Sequence, residues 1–519
     1  WLGREQIAGN LIDSYLAERG VAARYSVLEI GPNRQVIADL AVGDPAAPDL
    51  TAKRVVVETG FGLFGATVER VVIDEARLHG TIRGAKLSFG ALDPLIFTDS
   101  TEPTRLPAIR VALRDARARI ASDFGVIGAK LEGEGQLDDG FAGELALTAP
   151  GIGTADCRAA QASLYGALTT AEGEATLTGP LRLAEVACGP ARMARADIGS
   201  TITLGANLDS ARGTFAITAQ QLTADGAALD RVSGQATAAV SAKGIALDHD
   251  IALQGLALAP ATIGSANAKG SWRMASGAAR SEWTGTLTAR EITLTEAVTR
   301  ELTAARSAVK DTLLEPLLAQ ISNGLGRTLT GASFTSEAII RMTDADTRLI
   351  IPEARLRSGA GEVMVALSQV NWSLGAGREG ARRGNFITGG AGLPRINGRM
   401  SQDKAGGFAL RLAMADYQAG DSRVAIPRFT AERSAGGAYR FTGLVAASGR
   451  LPGGRITGLE APLEGRWSAG EGLVLGTRCA DWRFAGLQLG TLDLGARKLT
   501  LCPAEGARAM LRYADTLTV

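Results

Sequence analysis

Residues 55–65 read Val55-Val-Val-Glu-Thr-Gly60-Phe-Gly62-Leu-Phe-Gly65. Glycines at 60, 62 and 65 have the G-x-G-x-x-G spacing of a dinucleotide-binding turn, and three valines lead into them as a strand would. Such a turn works only if a helix comes next, because the pyrophosphate rests on free N–H groups at a helix N-terminus. The next residues are instead Ala66-Thr-Val-Glu-Arg-Val-Val-Ile73. Their β-branched side chains lose rotamer freedom in a helix and suit a pleated sheet. Leu78-His-Gly-Thr-Ile82 and Lys86-Leu-Ser-Phe89 continue the strand pattern, so no βαβ unit forms. The three glycines are expected to mark a bend between two strands and to bind no nucleotide; no cofactor is expected elsewhere.

Composition carries the same reading outward. Glycine supplies 65 of 519 residues, above its usual share of about 7%, while aromatics make up only 5%. Many turns and thinly packed strands suit such a chain better than a compact α/β enzyme. With 55 basic and 54 acidic residues the net charge is +1, and no basic block stands out, so nucleic acid is not an expected partner. No apolar run reaches eighteen residues, so no span is read within the chain. It opens on Trp1 rather than Met, leaving room for an upstream signal or anchor, and closes at Val519 inside a strand-like stretch, as if mid-architecture.

The cysteines, Cys157, Cys188, Cys479 and Cys502, form two local pairs far apart in sequence. None has C-x-x-C spacing and the only histidines are His79 and His249, which disfavours a zinc site. Four cysteines allow three connectivities, and local closure costs the least chain entropy. That favours Cys157–Cys188 and Cys479–Cys502 and an oxidising compartment; the alternative is four buried thiols in a cytosolic protein.

Apolar positions from Leu2 to Leu16, with Gly20 as the stop, predict an amphipathic helix over residues 2–19 that docks on the fold or lies on a bilayer surface. From Ala23 to about Arg290, short alternating runs such as Val36–Val42 and Phe141–Leu147 are separated by Gly, Pro, Asn and Asp. They recur every ten to fifteen residues without a strict period. One helical stripe interrupts them, running from Leu294 through Leu302, Leu313 and Leu317 to Leu329. Thr293 and Glu296 fit a capping box, and Pro316 should break the stripe after Asp311–Glu315. Strands resume near Ala332. The fold expected is mainly β: a long twisted antiparallel β-sheet groove divided as 1–20 (helix), 21–290 (first section), 291–330 (helical segment) and 331–519 (second section).

The most regular strand is Phe408-Ala-Leu-Arg-Leu-Ala-Met414. Alternation puts Phe408, Leu410, Leu412 and Met414 on one face and Arg411 on the other. Those four are the candidate groove lining; the competing expectation is ordinary core beneath the 294–329 stripe. Catalytic chemistry is scarce. Two histidines leave little for acid–base work, and there is no G-x-S-x-G, H-E-x-x-H or P-loop. Asp248-His-Asp250 and Asp344-Ala-Asp346 read as polar turns rather than cation sites. No catalytic or metal residue is assigned, and no enzyme activity is expected.

Several short phrases carry a resemblance: Lys86–Leu95, Gly389-Gly-Ala-Gly-Leu-Pro-Arg-Ile396, Met414-Ala-Asp-Tyr-Gln-Ala-Gly420, Ser448-Gly-Arg-Leu-Pro-Gly453 and Leu501-Cys-Pro503. With the N-terminal helix, they make the chain resemble the YdbH-type proteins of Gram-negative bacteria, relatives of the AsmA-like group. The resemblance implies a β-groove protein of the periplasm, anchored to the inner membrane by a segment outside this chain. It further implies movement of phospholipid between the inner and outer membranes, with a small outer-membrane lipoprotein as a partner. Burying a CH₂ is worth about 0.8 kcal/mol, so two acyl chains of roughly thirty carbons need over 20 kcal/mol of apolar shelter. A sheet with one aliphatic face and an open seam supplies it while the headgroup stays in water. The alternatives are a non-catalytic envelope scaffold with a filled core and a carbohydrate-active β-helix, the latter needing paired carboxylates that the sequence does not display.

Overall fold

A computed structural model describes residues 16, 18–62, 65–84, 86–96, 105–277, 279–329, 331–344, 346–375, 381–390, 392–403, 406–433, 437–513 and 517–518. The helix expected over residues 2–19 falls almost wholly outside the described residues. The chain divides into two compact units, Trp1–Ile251 and Ala252–Val519. Both are mainly β, as the alternation predicts.

In the first unit the glycine-rich opening resolves into sheet. Strands Ala47–Gly62 and Gly65–Asp74 run antiparallel, with Gly60 opposite Thr67 and Gly62 opposite Gly65. The next element is strand Arg77–Arg83 and not a helix, so a phosphate-binding helix N-terminus does not follow these glycines. Strand Arg110–Ser122 lies parallel to both Gly65–Asp74 and Arg77–Arg83. The short helix α1 (Asp93–Ile96) occupies the intervening connection, where Leu92 joins Val21 and Val42 in a small core. From Gly125 to Ser241 the successive strands pair antiparallel.

The repeat is longer and more regular than expected. Cys157–Ala171, Glu174–Cys188 and Ala191–Leu204 are strands of 15, 15 and 14 residues joined by two-residue turns. Glycines that looked like breaks lie inside these strands. A Cβ on Gly166 would come within 2.3 Å of the Thr178 carbonyl oxygen, so the bare backbone is what lets the two strands close up. Asp248, His249 and Asp250 likewise lie within strand Gly244–Leu258 and not in a turn; both aspartates are exposed, and alternation alone accommodates them on the outward face.

A transverse crease crosses the first unit. Gly151, Glu185 and Gln221 have left-handed backbones, with φ of 71°, 49° and 55°. Ala160 stands between Gly151 and Glu185, and Ala194 between Glu185 and Gln221, at the points where the ladders skip a pair. Asp115, with φ of 48°, sits at a bulge in Arg110–Ser122. A left-handed residue in alternate strands turns the chain at the same level each time, which curves this unit's sheet locally.

In the second unit, Arg280–Leu294 pairs directly with Ser333–Thr343, so the helical segment is an insertion within one connection of the ladder. It forms α2 (Glu296–Ala308) and α3 (Leu314–Thr328). The expected capping box does not form: Thr295 is the N-cap, without a side-chain cap bond, because Thr293 still belongs to the strand and shares a hydroxyl hydrogen bond of 2.5 Å with Thr262. The interruption falls at 309–313, where Asp311 is left-handed and its N–H donates to the Glu315 carboxylate at 2.8 Å. Pro316 then sits in the first turn of α3, where a missing N–H costs nothing.

Candidate functional site

Directly opposed residues of neighbouring strands point to the same face. The register therefore extends the Phe408–Met414 face across the second unit. Leu412 lies between Gly398 and Phe429, and the row continues to Phe386 and Leu367 on one side and to Gly443 and Leu463 on the other. Leu410 lies in a parallel row with Met400, Ala431, Phe441 and Gly465. Met414 lies between Ile396 and Ile426. Arg411 is exposed on the opposite face, as alternation requires.

The glycines in these rows seat aromatic rings. A Cβ on Gly398 would fall 2.2 Å from the Phe386 ring, and one on Gly465 2.6 Å from Phe441. Phe429 and Phe441 stack with centroids 6.0 Å apart. The face is thereby aliphatic and aromatic but shallow. A cavity of about 810 Å³ opens beside it, lined by Leu459, Ala461, Leu463, Leu475, Trp482 and Met510. Its wall includes Cys479, which is joined to Cys502; Cys157 and Cys188, opposite each other in their hairpin, are joined as well. Both local pairings expected from spacing are formed.

One end of these strands is closed by α3. Its Leu317 and Ile321 pack on Tyr417, Ala419 and Val424, and Leu325 and Leu329 join Ala289, Ile292, Ala332 and Met364. Burial pushes the Tyr417 hydroxyl up in pKa, and that hydroxyl donates to the Gly392 carbonyl at 2.6 Å. The helix thus meets the Tyr417 end of the strand, while Phe408, Leu410, Leu412 and Met414 stay half-buried. The opposite end carries the row Trp372, Arg382, Gln402, Phe408, Arg433, Tyr439 and Trp467. Sequence reading missed it because it is drawn from seven strands; the available signal was i, i+2 phrasing such as Phe429-x-Ala-x-Arg433.

The first unit repeats the theme. Leu147, Leu164, Leu181, Ile198 and Ile217 stand opposite one another across five strands, and all but Leu164 are only half-buried. Beneath a second layer, central residues such as these would be sealed.

Among the described residues, no group of three or more His, Cys, Asp or Glu side chains could hold a metal, and no helix is long and apolar enough to cross a membrane. The family model described as YdbH-like, intermembrane phospholipid transport protein YdbH, matches residues 1–510. The chain belongs to the YdbH-like family. No curated protein and no solved structure matches it. As a YdbH-like protein it falls in a family of intermembrane phospholipid transport.

Proposed function

We propose that this protein carries phospholipid between the inner and outer membranes by sheltering acyl chains along its apolar rows, without catalysing a reaction. The observation that carries the reading is the half-burial of central aliphatic residues, Leu410, Leu412 and Met414 in one unit and Leu147, Leu181, Ile198 and Ile217 in the other. Aliphatic side chains in mid-sheet that no second layer covers leave favourable burial unused, about 25 cal/mol for each Å². An acyl chain takes it up, and its headgroup stays outside, avoiding the cost of burying charge. A filled scaffold would have closed those rows with its own side chains.

Two disulfides fit an oxidising compartment, which supports a periplasmic location. The proposal includes an inner-membrane anchor and a small outer-membrane lipoprotein as partners. Phe408, Leu410, Leu412 and Met414 are assigned to the lining, with Arg411 in water. Native mass spectrometry of the purified chain tests the reading. Co-bound phospholipid is the expected result; a folded, lipid-free chain that takes up none from vesicles overturns it.

A further inference from the structure

The end of the strands opposite α3 carries the charge that the apolar rows lack. Arg382, Gln402, Phe408 and Arg433 stand opposite one another in consecutive strands and line one cavity of about 590 Å³. Asp403 also lines it, and Arg348, Arg383 and Glu432 reach it from the strands' other face. Arg348 lies 3.6 Å from Asp346. Arg382 is placed differently. Its guanidinium lies over the Trp372 ring, 4.8 Å from the centroid. Its Nε is buried and, among the described residues, meets no acceptor; neither does the neighbouring indole Nε1 of Trp372. Further along the row, the Arg433 guanidinium lies 5.7 Å from the Tyr439 ring centroid, and Tyr439 packs on Trp467.

Buried donors are ordinarily satisfied, so two orphaned donors side by side call for an acceptor that the fold does not supply. Arg382 and Arg433, the two cations of the row, make that acceptor anionic, and a guanidinium fork matches the paired oxygens of a phosphate. Amphipathic rings beside cations suit a boundary between apolar and wet surroundings. The next row inward, Met400, Leu410 and Ala431, is apolar, so a ligand seated here has its charged group at the rim and its tail on the rows. We propose that the Arg382–Arg433 row binds the phosphate of a phospholipid headgroup whose acyl chains lie on those rows. This rests on the acyl-sheltering reading and adds a headgroup site to it.

The test measures binding to the lipid-stripped full chain of three probes: dioleoyl phosphatidylglycerol, dioleoylglycerol, which has the same chains but no phosphate, and inorganic phosphate. Wild type should prefer the phospholipid over the diacylglycerol by about tenfold, one good charged contact. Arg382→Gln should erase most of that preference and leave diacylglycerol binding unchanged, with Arg382→Lys intermediate. Should Arg382→Gln not fold, Arg382→Lys and Arg433→Gln carry the comparison. Equal preference in wild type and folded variants overturns the headgroup site while the acyl-sheltering reading stands. Inorganic phosphate displacing the phospholipid at micromolar concentration overturns it in favour of a free-phosphate site. Failure of wild type to bind either lipid overturns acyl sheltering itself, and the headgroup site with it.

Discussion

Leu412→Asp separates an open apolar row from a covered one. Leu412 lies mid-strand between Gly398 and Phe429 and is half-buried. Full burial of a leucine is worth about 1.5–3 kcal/mol, so losing half of it costs about 1 kcal/mol. Aspartate also suits a strand less well, by up to about 1 kcal/mol. The new carboxylate keeps its water on the uncovered side, so no burial penalty is added. The expected loss is about 2 kcal/mol, which a domain of ordinary stability survives. Beneath a filled core, the cavity alone would cost about 2–5 kcal/mol, and a desolvated charge would add several more. Urea unfolding followed by circular dichroism gives the stability, and native mass spectrometry of the same preparation gives the lipid. A folded variant with less bound phospholipid is expected. Unfolding, or undiminished lipid in a folded variant, refutes the reasoning.

Replacing Cys157 and Cys188 together by serine should lower stability by up to about 3 kcal/mol, read as a shift in urea midpoint; a midpoint unchanged from wild type would mean the hairpin is held by its ladder alone. Gln221 has a φ of 55°, so Gln221→Gly should be nearly neutral while Gln221→Val should cost about 1–2 kcal/mol, and equal melting temperatures would remove the crease from the energetics. Hydrogen bonds from Arg77 (2.7 Å) and from Arg117 hold the Asp115 carboxyl below the usual range. A depressed carboxyl stabilises the fold above its unfolded pKa, and that contribution fades as pH falls through the folded value. Asp115→Asn should therefore narrow the gap to wild type as urea midpoints are taken from pH 7 down towards pH 3; a gap that stays constant would deny Asp115 this role.

Much of the fold was legible. The β-branched run after Gly65 ruled out a helix without any structural help, and the local cysteine spacing led to both disulfides. The helical interruption was legible from its aliphatic stripe, but only the α3 half of that stripe is buried; α2 has no buried residue. Strand length is not legible from the glycines, because Gly166 and Gly179 serve close approach between backbones and do not end strands. The Phe408–Met414 face could be read from one strand alone. Its extension could not, because Trp372, Arg382 and Arg433 meet only through register, which alternation along a single strand does not specify.

The crease has a consequence for how such a chain changes in length. Gly151, Glu185 and Gln221 recur on alternate strands, so the unit that can be copied or lost is a pair of strands. A duplicated pair brings its own bend and lengthens the apolar floor by about 9–10 Å, two inter-strand spacings. A single added strand would break the alternation of bends, and a single added residue would turn the rest of its strand inside out. Growth in whole hairpins lets a chain of this kind be tailored to the distance it serves while every apolar row keeps its place.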